Sequence, residues 1–111
     1  MSPQIPEVFS ALSDPTRFAI VEKLLREGDQ SVGDLARPFQ MSAPAISRHL
    51  KILEDVGLIE RRVKKQWRVC RLKKECFVSL DEWLERYRSF WIGSFDRLEA
   101  FLDQNLKEED Q

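Results

Sequence analysis

Apolar residues along the first half of the chain recur three and four positions apart, the spacing that lines one face of a helix. Phe18, Val21, Leu24 and Leu25 keep that spacing after Asp14 and Pro15, an N-cap followed by proline at the first helical position, and Gly28 supplies a stop near Glu27. Pro6 suits the first turn of a shorter helix before it, reaching about Leu12. Ser31 with Asp34 three residues on reads as a loose capping box, opening a helix from Val32 to about Phe39 that turns Leu35, Ala36 and Phe39 inward. After only Gln40 and Met41, Ser42 is another N-cap, with Pro44 in the first turn of a helix that runs to Val56 and is closed by Gly57. Two helices joined by so short a turn form a helix-turn-helix unit.

From Leu58 to Leu72 the period changes. LIERRV, KKQ and WRVCRL carry β-branched and aromatic residues at extended spacing and read as a hairpin. Its turn has neither glycine nor Asn-Gly, so either the loop is longer than two residues or Lys65 or Gln66 takes a strained backbone. Beyond it, from about Ser79 to Leu106, no proline interrupts a long helix with apolar residues at Leu80, Trp83, Leu84, Tyr87, Phe90, Trp91, Phe95, Leu98, Phe101 and Leu102. That face is too wide and too aromatic for a small domain to cover, and pairing of the terminal helices in a homodimer is the economical answer. The alternative is that the helix packs on its own domain. An unknown small-molecule effector could also lie between two such helices. The expected fold is mainly α with a small β-hairpin, a winged helix-turn-helix with its wing over 58–72.

Length and composition fit this outline: 111 residues with 42% hydrophobic content suffice for one domain, taken as 1–111. No run approaches a membrane span and the start lacks the features of a signal peptide, so a cytoplasmic protein with no membrane partner is expected. Cys70 and Cys76 are too few for a disulfide framework. Charge changes the picture more. The net charge of −1 conceals a basic segment, residues 42–74, with 10 Lys and Arg against 3 Asp and Glu, while residues 75–111 carry 4 against 10. A local excess of that size is the electrostatic footprint of a nucleic-acid face, although a solvated basic surface would look the same by charge alone.

Within SAPAISRHLKILEDVG, Ile46, Leu50 and Leu53 must point into the core. The other side then presents Ala43, Pro44, Ser47, Arg48 and Lys51. Small residues allow close approach to a major groove, a guanidinium can bond guanine bidentately, and a lysine suits phosphate, so Arg48 is the best base reader, with Ser47 and Lys51 next. Gln40 and Ser42 occupy the turn, where phosphate contacts are common. Arg61, Arg62, Lys64, Lys65 and Arg68 would make the hairpin a basic wing along phosphates or over a minor groove. Trp67 could touch sugar or support the turn, with packing the favoured role. His49, the sole histidine, is read as structural rather than as a metal ligand. No nucleophile with a neighbouring base, no paired carboxylates and no phosphate-cradling glycine loop suggest an enzyme.

With these residues in place, the chain resembles the ArsR/SmtB family of bacterial winged-helix repressors over Phe9 to Leu102. ALSDPTRFAIVEKLL resembles that family's opening signature, SVGDLA the first helix of its reading unit, and SAPAISRHLKILEDVGLIERR its recognition helix and first wing strand. The resemblance implies four helices, a two-stranded wing and a terminal helix, assembled as a dimer on an inverted repeat in promoter DNA and usually repressing transcription. Metal-sensing members carry Cys-x-Cys where this chain reads Ser31, Val32, Gly33, and others use Asp, Glu and His on a last helix that here has no histidine. Those departures argue against metal sensing, and no cofactor is expected. WLERYRSFWIGSFDRLEAFLDQ is most similar to the metal-free branch with sporulation-delay type autorepressors. Cys70 and Cys76 could form a redox pair, against the simpler reading of a buried Cys70 and an ordinary Cys76.

Overall fold

The computed structural model describes residues 4 to 109. Helices α1 (Ile5–Leu12) and α2 (Pro15–Glu27) lead into a short strand β1 (Gln30–Ser31), then α3 (Val32–Ala36), a 3₁₀ turn (Arg37–Phe39) and α4 (Ala43–Asp55). Strands β2 (Ile59–Lys64) and β3 (Trp67–Leu72) follow, and α5 (Lys74–Glu109) ends the fold. The chain divides into two compact units, one ending at Ser79 and the other beginning at Leu80. The first holds the winged helix-turn-helix. The second is the continuation of α5.

The three N-caps expected from sequence are formed. Asp14 Oδ2 accepts from the Arg17 amide at 3.0 Å, Ser31 Oγ from the Asp34 amide at 3.1 Å, and Ser42 Oγ from the Ala45 amide at 3.3 Å. Each satisfies a first-turn N–H that has no partner within its own helix.

Where the helix over 32–39 was expected to be continuous, it breaks after Ala36. Pro38 has no N–H to offer the Asp34 carbonyl four residues back. Lys23 Nζ on α2 donates to that oxygen instead, at 2.8 Å. The break leaves Leu35 buried but Ala36 and Phe39 only half-buried, and Gln40 closes the turn with a left-handed φ of 52°. The α2 face also differs from expectation: Ile20, Val21 and Leu24 are buried, while Phe18 and Leu25 are 50% and 59% exposed. Apolar spacing alone could not choose between the two faces that share Val21 and Leu24.

The wing is part of a three-stranded antiparallel sheet in the order β1-β3-β2. Strand β1, two residues long, pairs Gln30 with Cys70 and Ser31 with Val69, and is too short to leave a periodic signal in the sequence. Lys64 pairs with Trp67, so the hairpin loop is the two residues Lys65 and Gln66, and Lys65 takes the strained backbone, at φ 59°. A left-handed non-glycine residue costs on the order of 1 kcal/mol.

Ile46, Leu50 and Leu53 of α4 are fully buried among α1, α2, Leu35, Leu58 and Ile59 in the core of the first unit. Helix α5 starts five residues earlier than the expected Ser79, because the chain turns helical straight after β3: the Lys73 amide donates to the Leu58 carbonyl at 2.9 Å and Cys76 is buried in the first turn. Its 36 residues span about 54 Å. Along it Leu84, Tyr87, Trp91, Phe95, Leu98, Leu102 and Leu106 step by three, four and four positions. That eleven-residue repeat, about 3.67 residues per turn, keeps the stripe nearly parallel to the helix axis.

Candidate nucleic-acid interface

Helix α4 is amphipathic in the sense the sequence demands. With Ile46, Leu50 and Leu53 inside, Ala43, Pro44, Ser47, Arg48 and Lys51 are all exposed, as are Gln40 and Ser42 ahead of them. The helix is therefore fixed by its core side while its other side and first turn stand clear of the protein.

Electrostatics refines the basic segment. All three of its acids are engaged: Asp55 by Lys51 at 3.5 Å, Glu54 by Arg61 at 3.0 Å, and Glu60 by both Arg62 at 3.0 Å and Arg71 at 3.2 Å. Four of the ten cations are thus committed to neighbours. Among the described residues Arg48, Lys64, Lys65 and Arg68 have no such partner, and they lie on α4 and around the hairpin tip. An unpaired cation can neutralise a phosphate without first breaking a bond.

The candidates named from sequence divide accordingly. Arg48, Lys64, Lys65 and Arg68 are available to a ligand. Lys51 and Arg62 sit in exposed pairs, which are weak and easily exchanged. Arg61 is different, since its Nε and Nη2 fork the two Glu54 oxygens at 3.2 and 3.0 Å, with both side chains half-buried. That guanidinium holds the Glu54 carboxyl below its ordinary range, and the carboxylate in turn raises Arg61. Glu54 carried no sequence signal of its own, because an acid inside a basic run reads simply as a lowered count.

Sheet geometry orients the tip. Residues directly opposite in an antiparallel pair share a face, so Arg61, Cys70, Val63 and Arg68 lie on the side that meets α4, and Arg62, Val69, Lys64 and Trp67 on the other. Trp67 is 59% exposed, so the packing role expected for it is not what the fold gives. It borders a shallow groove with Arg68, Arg37 and the start of α3.

His49 lies beside the core face of α4, half-buried, with Nδ1 3.3 Å from Arg17 Nη1 and 3.8 Å from Asp14 Oδ2. Arg17 Nε also donates to the Ala11 carbonyl at 2.7 Å. One arginine thus joins the end of α1, the cap of α2 and the middle of α4. The hydrogen bond from the Arg17 amide, with the Arg17 guanidinium nearby, holds the Asp14 carboxyl below its ordinary value.

Both cysteines are free thiols and buried. Burial pushes the Cys70 thiol up to about 11 and raises Cys76 as well. Since the thiolate is the reactive form, burial works against the redox alternative.

On α5, Leu84, Tyr87, Phe90, Trp91, Phe95, Leu98, Phe101 and Leu102 are 45 to 63% exposed, and Leu80 and Trp83 are half-buried. Neighbouring rings touch along the helix, with centroids 5.4 Å apart for Phe90 and Trp91 and 6.2 Å for Trp91 and Phe95. No helix among the described residues is long and apolar enough to cross a membrane.

Comparison with known proteins converges on one family. Residues 14–61 match the family described as bacterial regulatory protein, arsR family. The transcriptional repressor SdpR of Bacillus subtilis is 47% identical over 60 residues, 54% of this chain and 66% of that protein. The arsenic resistance transcriptional regulator ArsR1 of Pseudomonas putida is 40% identical over 70 residues, 63% of this chain and 55% of that protein. The chain thus spans less than two thirds of either. The HTH-type transcriptional regulator Rv2034 of Mycobacterium tuberculosis is 40% identical over 95 residues, covering 86% of this chain and 85% of that protein. Among solved structures, the ArsR family transcriptional regulator RHA00566 superposes with a TM-score of 0.71 at 37% identity, over 78% of this chain and 94% of the other.

Proposed function

This chain belongs to the arsR family of bacterial regulatory proteins, and from that premise we propose that it is a transcriptional repressor reading an inverted-repeat operator in duplex DNA as a homodimer. The observation that carries the reading is the division of α4, with three residues fully buried on one side and an unpaired Arg48 on the other. Arg48 and Ser47 address base edges in the major groove, and Lys51 exchanges Asp55 for a phosphate. Gln40, Ser42, Ala43 and Pro44 bring the first turn close to the backbone. Arg62, Lys64, Lys65 and Arg68 lay the wing along phosphates.

The aromatic stripe of α5 supports the dimer. Two copies of a stripe this apolar bury one another, and a two-fold dimer matches the two-fold symmetry of an inverted repeat, whose half-sites lie about one DNA turn, roughly 34 Å, apart. Repression follows from occupying a promoter and involves no metal. The positions where metal-sensing members carry thiols are Ser31 and Gly33 here, and the two cysteines lie elsewhere in the fold.

The test is a duplex selected by the wild-type protein from a randomised pool, compared with an unselected one. Arg48→Ala weakens the selected complex by about 1 to 3 kcal/mol and relaxes preference at one base pair. Lys64→Ala with Lys65→Ala weakens both complexes and lowers the salt slope by about 2. Failure of the wild type to enrich any sequence sinks the reading.

A further inference from the structure

The fork between Glu54 and Arg61 joins the two elements that bear the unpaired cations. Glu54 lies in the last turn of α4 and Arg61 in the middle of β2. Only Val56, Gly57 and Leu58 separate the helix from the strand, and Gly57 makes the corner at φ 84°. Backbone bonds tie that corner to the helix end, from the Gly57 amide to the Glu54 carbonyl and from the Leu58 amide to the Leu53 carbonyl, both at 3.0 Å. The fork adds a side-chain link further along the strand, nearer the tip. Two parallel bonds from a planar guanidinium fix an angle as well as a distance, which a single contact does not. The strand end of the fork is itself anchored, because Arg61 pairs across the sheet with Cys70, which is fully buried.

The pair is also poorly suited to attracting DNA by charge. A carboxylate on the reading helix repels phosphates, and an arginine forked onto it gives up its own attraction. Its contribution is therefore geometric.

We propose that Glu54 and Arg61 are a positioning pair that sets the angle between wing and reading helix, so that Arg48 on α4 and Lys64, Lys65 and Arg68 at the tip engage one duplex together. This rests on the DNA-reading role argued above. Neither residue touches a base in this arrangement, and Arg61 acts through the wing rather than on a phosphate.

The experiment uses full-length protein with the duplex it selects from a randomised pool and an unselected duplex of equal length. Glu54→Ala is expected to lower affinity for the selected duplex roughly tenfold, the scale of coupling within one side-chain network, while affinity for the unselected duplex holds or rises. A residue acting only through its charge gives the opposite sign, because removing an acid near phosphates strengthens every complex. Arg61→Ala should lose a similar factor on the selected duplex, and the double variant should lose no more than either single one. Retained affinity for the unselected duplex shows that each variant is folded. Glu54→Gln, which preserves shape and one hydrogen bond, should recover part of the loss. The proposal is overturned if Glu54→Ala leaves or raises affinity for the selected duplex, or if the two single losses add in the double variant. A wild type that selects no sequence removes the DNA-reading role itself, whereas selection without coupling removes only the pair.

Discussion

The same apolar periodicity has opposite outcomes in the two units of this protein. In α4, Ile46, Leu50 and Leu53 recur at helical spacing and are fully buried. In α5, Leu84, Tyr87, Trp91, Phe95, Leu98 and Leu102 recur as regularly and are 45 to 63% exposed. Periodicity identifies a face that avoids water, but not what covers it. Residues up to Ser79 supply their own cover from several elements, whereas a lone helix beyond Leu80 cannot bury its stripe against itself. The difference separates positions that hold one chain together from positions that would hold two.

The largest expected effect tests that separation directly. Leu50→Ala leaves a cavity in the first unit and should cost about 2 to 5 kcal/mol in denaturant unfolding. Phe95→Glu, at a position 63% exposed, should cost the isolated chain little while turning a dimer into a monomer in sedimentation equilibrium. Its melting temperature should also lose the concentration dependence expected of the wild-type dimer. A monomeric wild type, or a Phe95→Glu variant as unstable as Leu50→Ala at every concentration, breaks the distinction.

A smaller effect reads the packed unit from its chemistry. Burial pushes the Cys70 thiol from 9.0 up to about 11, so the fold favours the neutral form. The stabilisation is complete below the unfolded value of 9.0 and is lost as pH rises through about 11. At 1.36 kcal/mol per pKa unit, its size is at most about 3 kcal/mol. Cys70→Ala should be less stable than wild type at neutral pH, yet lose less stability than wild type across that alkaline window, as followed by urea unfolding. Equal losses in the two proteins would mean that Cys70 opens to water more readily than its burial indicates.

Much of the first unit was legible because local chemistry and burial agree there. Asp14, Ser31 and Ser42 announce helix starts, and each forms its cap because an orphan amide needs an acceptor wherever the helix is placed. The buried face of α4 was equally readable. What escaped depends on contacts distant in sequence. Pro38 ended α3 early because Lys23 could replace the missing donor to Asp34, and strand β1 exists only because β3 pairs with it. Ile20, rather than the expected Phe18, is buried because the surrounding elements decide which side of α2 faces inward. At the candidate interface, the list of cations was readable but their availability was not. Arg61 and Lys64 look alike in a charge count, and only the fold forks one onto Glu54 and leaves the other at the tip.

The smallest effect asks which side of α5 is the seam. At about 100° per residue, Gly93 lies roughly 200° around the helix from both Trp91 and Phe95, on the side away from the stripe. A methyl group added there would meet only Arg97 Nη1, at 3.4 Å, an ordinary contact with the end of a flexible side chain. Alanine in place of glycine inside a helix is favourable by about 1 kcal/mol, since less backbone freedom is lost on folding. Gly93→Ala should therefore raise the stability of the chain by up to that amount and leave the dimer dissociation constant unchanged. A gain in helix stability accompanied by weaker dimerisation would put Gly93 between the two copies. The seam would then run along the opposite side of α5, and the exposed aromatic rings would need a different partner.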